Sequence, residues 1–126
     1  MKVVINKCHG GFNLSDAAFE RYLDLKEITW HKSKEQRFGS YHYYTIPEEE
    51  WNRLYDYKQE KSNMFLNHDK IERDDPILVQ VVESLGDLAS GEFSKLKVVE
   101  IPDDVNWKIS DYDGIESIHE VHRVWS

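Results

Sequence analysis

The strongest local signal in the chain is a helix that begins after residue 73. Asp74 and Asp75 offer capping oxygens, and Pro76 suits the first helical position, where no amide hydrogen is needed. The apolar residues that follow recur at helical spacing, namely Ile77, Leu78, Val81, Val82, Leu85 and Leu88. One face of this segment must be covered by other elements, so we predict a core helix that stops at Gly91.

Strand-like segments lie on both sides of this helix. Residues 2–6 have the composition of a short buried strand, and a first helix is expected over 15–27. Further strands are indicated at 28–31, 40–46, 63–66, 96–101, 105–109 and 115–121, with a first helical turn at 47–50. Segments 96–101 and 105–109 flank a turn and are expected to pair, and 111–114 is a second turn. This order predicts an α+β fold, a mainly antiparallel sheet with helices packed chiefly on one face.

The size and composition of the chain favour one domain in a reducing compartment. A length of 126 residues suits a single core, and the polar, aromatic region 30–69 is expected to be an insertion within that domain. The lone Cys8 excludes an internal disulfide and a cysteine zinc cage. No apolar run approaches the length of a membrane span, so we expect a protein of the cytoplasm without a membrane partner.

The charge balance bears on the class of partner. Lys and Arg number 16 against 24 Asp and Glu, which gives a formal net charge of -8. Such a surface repels phosphate backbones, so we expect no DNA or RNA duplex as a partner. A compact anionic ligand remains compatible with this charge, because a few cations in one cleft create a local positive site.

Several residues are candidates for binding such a ligand. Gly10 and Gly11 lie between a strand and a helix, where backbone amides can bind phosphate, although a tight structural turn explains the pair without a ligand. Arg73 and Arg123 could contact phosphate in a bidentate manner or neutralise neighbouring carboxylates. The aromatic candidates for stacking on a base, most of which would ordinarily be core residues, are Phe12, Phe93, Trp107 and Tyr112.

A catalytic interpretation has weaker support in the sequence. The His119-Glu120-Val121-His122 segment lacks the spacing of a helical zinc motif, and surface histidines are the simpler interpretation. Asp111 and its neighbours resemble oxygen ligands for a divalent metal but also suit a turn. Cys8 is interpreted as a small core thiol. No catalytic group exceeds its structural alternative, which favours a binding protein that needs no cofactor or metal.

Four blocks of the sequence together resemble a known family. They are residues 4–15, which read VINKCHGGFNLS, residues 73–86, which begin RDDP, LKVVEI at 96–101, and DYDG at 111–114. This ordered set is similar to the first Thoeris anti-defence family, phage proteins that sequester signalling nucleotides. The blocks cover both ends and the central helix but not the region from about 30 to 69.

The resemblance implies a nucleotide sponge rather than an enzyme. It implies a homodimer or higher homo-oligomer in the host cytoplasm that captures a cyclic ADP-ribose isomer without cleaving it, with a site that crosses a subunit interface. Some members resemble assemblies with a second site for cyclic oligonucleotides. Motif and chemistry together select as ligand-binding candidates Gly10, Gly11, Phe12, Arg73, Phe93, Asn106, Asp111, Tyr112 and Arg123. Replacement of Arg73 or Arg123 by alanine is expected to weaken binding and to leave thermal stability nearly unchanged.

Two alternatives from other classes remain open. A metal-dependent phosphodiesterase would use Asp111, Asp113, His119 and His122. An acidic phage protein could instead bind and inhibit a host protein through a basic surface of that partner.

Overall fold

The structure, a computed structural model, describes residues 1–37, 39–54 and 60–121. Its α-helices are α1 (Asp16–Leu25), α2 (Glu48–Asn52), α3 (Glu60–Asn63) and α4 (Pro76–Leu85). Its strands are β1 (Lys2–Asn6), β2 (His31–Lys32), β3 (Tyr43–Tyr44), β4 (Phe65–Leu66), β5 (Leu96–Glu100), β6 (Trp107–Tyr112) and β7 (Ile115–Glu120). Two 3-10 helices cover His68–Lys70 and Gly86–Ala89.

The strands pair in antiparallel fashion, which confirms the predicted α+β class. β1 pairs with β5, β3 lies between β2 and β4, and β6 forms a hairpin with β7. Within the described residues these strands form three small sheets rather than one continuous sheet. The helix α4 packs on β1 and β5, and α1 packs on α4.

The expected pairing of segments 96–101 and 105–109 is wrong. β5 pairs with β1, so that Val98 lies opposite Val4, and β6 pairs with β7. β1 is almost completely buried and needs a strand along its length, and β5 supplies that strand. The β6–β7 register follows from the turn at Asp113 and Gly114, whose positive φ values of 53° and 89° suit a two-residue hairpin. The turn predicted at 111–114 is therefore confirmed.

The central helix begins where the sequence predicts and ends sooner. Asp75 caps α4, because its Oδ1 accepts a hydrogen bond from the Ile77 amide at 2.8 Å and Pro76 follows as the first helical residue. The helix ends at Leu85 because Gly86 adopts a φ of 56°, which glycine tolerates. Gly91 is therefore not the stop. Leu88 lies beyond the helix and is 74% exposed, so it does not belong to the apolar face.

One buried cluster joins the helices, the first strand and part of region 30–69. The central members of this cluster are Val4, Leu14, Ala18, Phe19, Tyr22, Leu23, Tyr43, Leu78, Val79, Val81, Val82 and Ala89. Tyr43 of β3 meets Phe19 of α1 edge to face, with 5.1 Å between the ring centroids. Region 30–69 thus packs directly on α1.

None of the helices in the described ranges has both the length and the apolar composition that a membrane span requires.

Asp75 also connects α1 to α4. Its Oδ2 accepts hydrogen bonds from the Tyr22 hydroxyl at 2.8 Å and from the Lys26 ammonium at 2.9 Å. Burial acts to raise the pKa of Asp75, but the bonds from Lys26, Tyr22 and the Ile77 amide outweigh it, so the pKa lies below its usual range. The ionised carboxylate is therefore the form that stabilises the contact between the two helices.

We expect Asp75 to contribute to the pH dependence of stability. Because its pKa is lower in the folded chain, its contribution is complete above about pH 4 and is lost as the pH falls through the folded pKa. Asp75→Asn should retain a capping oxygen and show a smaller loss of stability on acidification than the unmodified chain. Asp75→Ala should cost about 2 kcal/mol at neutral pH. Urea unfolding at neutral and acidic pH measures both effects, and equal pH dependence in the unmodified and Asn chains would contradict the assignment.

Candidate functional site

Arg73, a predicted ligand contact, is engaged by a carboxylate distant in the sequence. Its Nη1 and Nη2 atoms lie 2.5 and 2.8 Å from the two carboxylate oxygens of Glu116, which is 5% exposed. The guanidinium carbon also lies 3.6 Å from the centroid of the Phe12 ring. Both predicted binding residues are thus used in intramolecular contacts, and the Arg73 partner is Glu116 rather than a carboxylate next to it in the sequence.

Arg73 and Glu116 also accept hydrogen bonds from the edge of β1 that does not pair with β5. The Asn6 amide donates to Glu116 Oε1 at 2.8 Å, and the Val4 amide donates to the Arg73 carbonyl at 2.8 Å. The Asn6 side chain, fully buried, donates from Nδ2 to the carbonyls of Cys8 and Gly114 at 2.6 and 2.7 Å. Its Oδ1 accepts from the Lys95 amide at 2.9 Å. These bonds hold together most of the blocks on which the family resemblance rests.

The paired glycines allow close packing of three loops. A side chain at Gly10 would overlap the backbone and Cβ of Phe93, and one at Gly114 would overlap the His9 carbonyl and the Gly11 amide. Gly11 also has a φ of 87°, which other residues rarely adopt. Gly10, Gly11 and Phe93 are therefore brought together, as the sequence analysis requires. The close packing of these loops explains the arrangement of the glycines without a bound phosphate.

The remaining predicted binding residues do not converge. Asp111 accepts a hydrogen bond from the Gly114 amide at 2.8 Å and so serves the turn, while Tyr112 is 84% exposed. Asn106 precedes the opposite end of β6, where its carbonyl accepts from the Val121 amide. Arg123 lies outside the described residues. Phe93 is 61% exposed, which leaves it accessible beside Gly10.

The proposed metal-binding residues also lie apart. Asp113 faces His9 at 3.5 Å, whereas His119 Nε2 lies 2.8 Å from the Ser117 hydroxyl. Asp111 and His119 project from opposite faces of the β6–β7 hairpin, as the alternation of side chains requires. His122 lies outside the described residues. In the part of the chain that the structure describes, no group of three or more metal-ligating side chains occurs.

A cavity of about 470 Å³ lies in region 30–69, away from the predicted residues. We call it the aromatic cavity, and it is lined by Arg37, His42, Tyr44, Glu48, Trp51, Asn52, Ser62, Phe65, Asn67 and Lys70. Its volume is in the range of small-molecule sites in proteins. It combines flat rings with cations, amides and a hydroxyl, and is therefore the candidate functional site.

Strand pairing and α2 position the rings of the aromatic cavity. Tyr44 and Phe65 lie opposite each other in the β3–β4 register, with ring centroids 5.7 Å apart. Trp51 on α2 packs 4.7 Å from Tyr44, and its Nε1 donates to the Lys61 carbonyl at 2.8 Å. His42 meets Phe65 edge to face at 5.6 Å. The wall of rings is thus fixed by backbone pairing and by an indole hydrogen bond.

The electrostatics of the aromatic cavity differ from those of the whole chain. Arg37 and Lys70 are exposed at its rim and form no ion pair within the described ranges. Among the described residues that line the cavity, Glu48 is the one that carries a carboxylate. A third cation, Lys61, lies 4.3 Å from the centroid of the Trp51 ring. Burial and the nearby Glu48 raise the pKa of Tyr44, so its hydroxyl stays protonated at neutral pH. Exposed cations therefore stand at the rim of this cavity in a protein of net charge -8.

The aromatic cavity lies mainly in region 30–69, for which the sequence predicts only an insertion. A usable signal was present in the aromatic run Tyr41-His42-Tyr43-Tyr44, followed by Trp51 and Phe65. Alternation in a strand places Tyr43 in the core and Tyr44 on the cavity side.

Comparisons of the chain with protein-family models, curated proteins and solved structures find no match.

Because Arg73 pairs with the buried Glu116, replacing Arg73 by alanine should lower the stability of the chain. The sequence alone predicts that thermal stability stays nearly unchanged. Arg73→Ala leaves the Glu116 carboxylate buried without its partner, which should destabilise the chain by about 3–5 kcal/mol. Arg53→Ala, at an exposed position, is the matched control and should change stability by about 0.5 kcal/mol or less. Urea unfolding distinguishes the two variants, and a near-zero effect of Arg73→Ala would contradict the structural role.

Proposed function

We propose that the chain binds and sequesters a small nucleotide-type ligand in the aromatic cavity without cleaving it. The supporting observation is that one cavity of about 470 Å³ combines four ring side chains with two rim cations. A nucleotide requires this combination, because its base is a flat polarizable ring and its phosphates are anionic.

Each part of the aromatic cavity has a role in this proposal. The rings of Phe65 and His42 offer surfaces on which a base can stack, while Trp51 closes the wall behind them. Arg37 and Lys70 contact the phosphates from the rim. The amides of Asn52 and Asn67 provide hydrogen-bond donors and acceptors for base edges and hydroxyls.

The finer identity of the ligand comes from the family resemblance. On that basis we propose a cyclic ADP-ribose isomer as the ligand, and inhibition of Thoeris immunity in the host cytoplasm as the result. A sponge needs slow dissociation and sufficient abundance rather than stabilisation of a transition state. The proposed homo-oligomer also rests on the resemblance, since the aromatic cavity is lined by residues of one chain.

Recovery of the ligand separates a sponge from an enzyme. The purified protein is incubated with a cyclic ADP-ribose isomer, binding is measured by calorimetry, and the complex is then denatured by heat. We expect mass spectrometry to detect intact nucleotide in stoichiometric amount. Recovery of hydrolysed products alone would support the phosphodiesterase alternative. No heat of binding together with no nucleotide recovered from the protein would contradict the proposal.

Two substitutions test the location of the site. Trp51→Ala should lower nucleotide affinity about 10-fold or more, since it opens the wall of rings. Lys70→Gln removes an exposed cation and should lower affinity about 10-fold with little effect on stability. Lys108→Gln, an exposed lysine on β6, is the matched control and should bind normally. Unchanged affinity in Lys70→Gln and in a folded Trp51→Ala chain would place the ligand elsewhere.

A further inference from the structure

A second cavity adjoins the aromatic cavity. It has a volume of about 260 Å³, and the side chains of His42, Phe65 and Asn67 line both cavities. We call it the polar cavity. Its other polar side chains include those of Asp16 and Ser40. A ligand that binds against the shared side chains in one cavity therefore lies next to the other cavity.

The polar cavity has a different chemistry from the aromatic cavity. Among the described residues that line it, none is Lys or Arg, and Asp16 supplies the carboxylate. Burial lowers the pKa of His68, whose ring packs 5.5 Å from Phe19, so this imidazole is neutral at pH 7. Acceptors and neutral donors suit hydroxyl groups, whereas a phosphate here would meet a carboxylate without a compensating cation.

Asp16 is held in a fixed orientation at this wall. Its Oδ1 accepts hydrogen bonds from the Tyr41 amide at 3.1 Å and from the Tyr43 hydroxyl at 3.3 Å. The Tyr43 hydroxyl has a single proton, which Asp16 shares with Glu20, whose carboxylate oxygen is the nearer acceptor at 2.7 Å. Within the described ranges Oδ2 has no hydrogen-bond donor, and a carboxylate oxygen of this kind accepts well from the hydroxyls of a sugar.

We infer that Asp16 is a specificity-determining residue, which accepts a hydroxylated ligand end in the polar cavity and rejects a phosphorylated end. This inference rests on the proposed function, because the nucleotide part of the ligand occupies the aromatic cavity. The hydroxylated end gains a hydrogen bond to a charged acceptor. The phosphorylated end meets repulsion between like charges in a partly enclosed space.

Two nucleotides that share the ADP group test the inference. ADP-ribose carries a sugar beyond the second phosphate, and ATP carries a third phosphate there. We expect the unmodified protein to bind ADP-ribose about 10-fold or more tightly than ATP, as measured by calorimetry at constant ionic strength. In Asp16→Asn the ratio of affinities should fall toward one, because ATP binding improves and ADP-ribose binding weakens.

The controls separate failure of this inference from failure of the proposed function. Glu48→Gln removes one negative charge from the aromatic cavity and controls for general electrostatic repulsion of ATP, so it should change the ratio less than Asp16→Asn does. Circular dichroism and thermal unfolding check that the near-isosteric Asp16→Asn chain folds. Equal binding of the two nucleotides, or an unchanged ratio in Asp16→Asn, would overturn the role of Asp16. If a cyclic ADP-ribose isomer binds while neither ADP-ribose nor ATP does, the role of Asp16 is overturned. If none of the three nucleotides binds, the proposed function is overturned instead.

Discussion

The buried ion pair between Arg73 and Glu116 is the constraint on which the arrangement of the first strand depends. Its two charges satisfy each other, and Glu116 also accepts from the Asn6 amide along the free edge of β1. That edge would otherwise leave backbone groups unpaired in a buried strand, at a cost of about 1–3 kcal/mol for each group. The pair therefore fixes where the β6–β7 hairpin meets β1.

Local signals in the sequence predict the elements that local chemistry determines. The start of α4 follows from Asp75 and Pro76, whose capping and ring geometry act within one helical turn. The turn at Asp113 and Gly114 follows from residues that tolerate positive φ. The burial of β1 follows from its apolar composition. For the helix start and the turn, the deciding interaction joins residues fewer than five positions apart.

Pairings over long sequence separations were beyond the reach of such signals. Arg73 and Glu116 are separated by 43 positions, so the carboxylates beside Arg73 were more obvious partners. β5 could pair with its neighbour in sequence or with β1, and only the need to cover a buried strand decides between them. The aromatic cavity could not be predicted for the same reason. Tyr44, Trp51 and Phe65 lie close together only because β3 pairs with β4.

The described residues fall into two groups, which we call the frame and the lining of the cavities. The blocks of the family resemblance build the frame, where Asn6 and Gly114 are consumed in hydrogen bonds and close packing. The cavities are lined mainly by region 30–69, whose side chains are held by short strands and by contact with Phe19 on α1. A frame of this kind can support different linings, since function depends on the groups at the site rather than on the fold. The side chains that line the two cavities, with Asp16 of α1 among them, should therefore decide which ligand of the proposed nucleotide class is accepted.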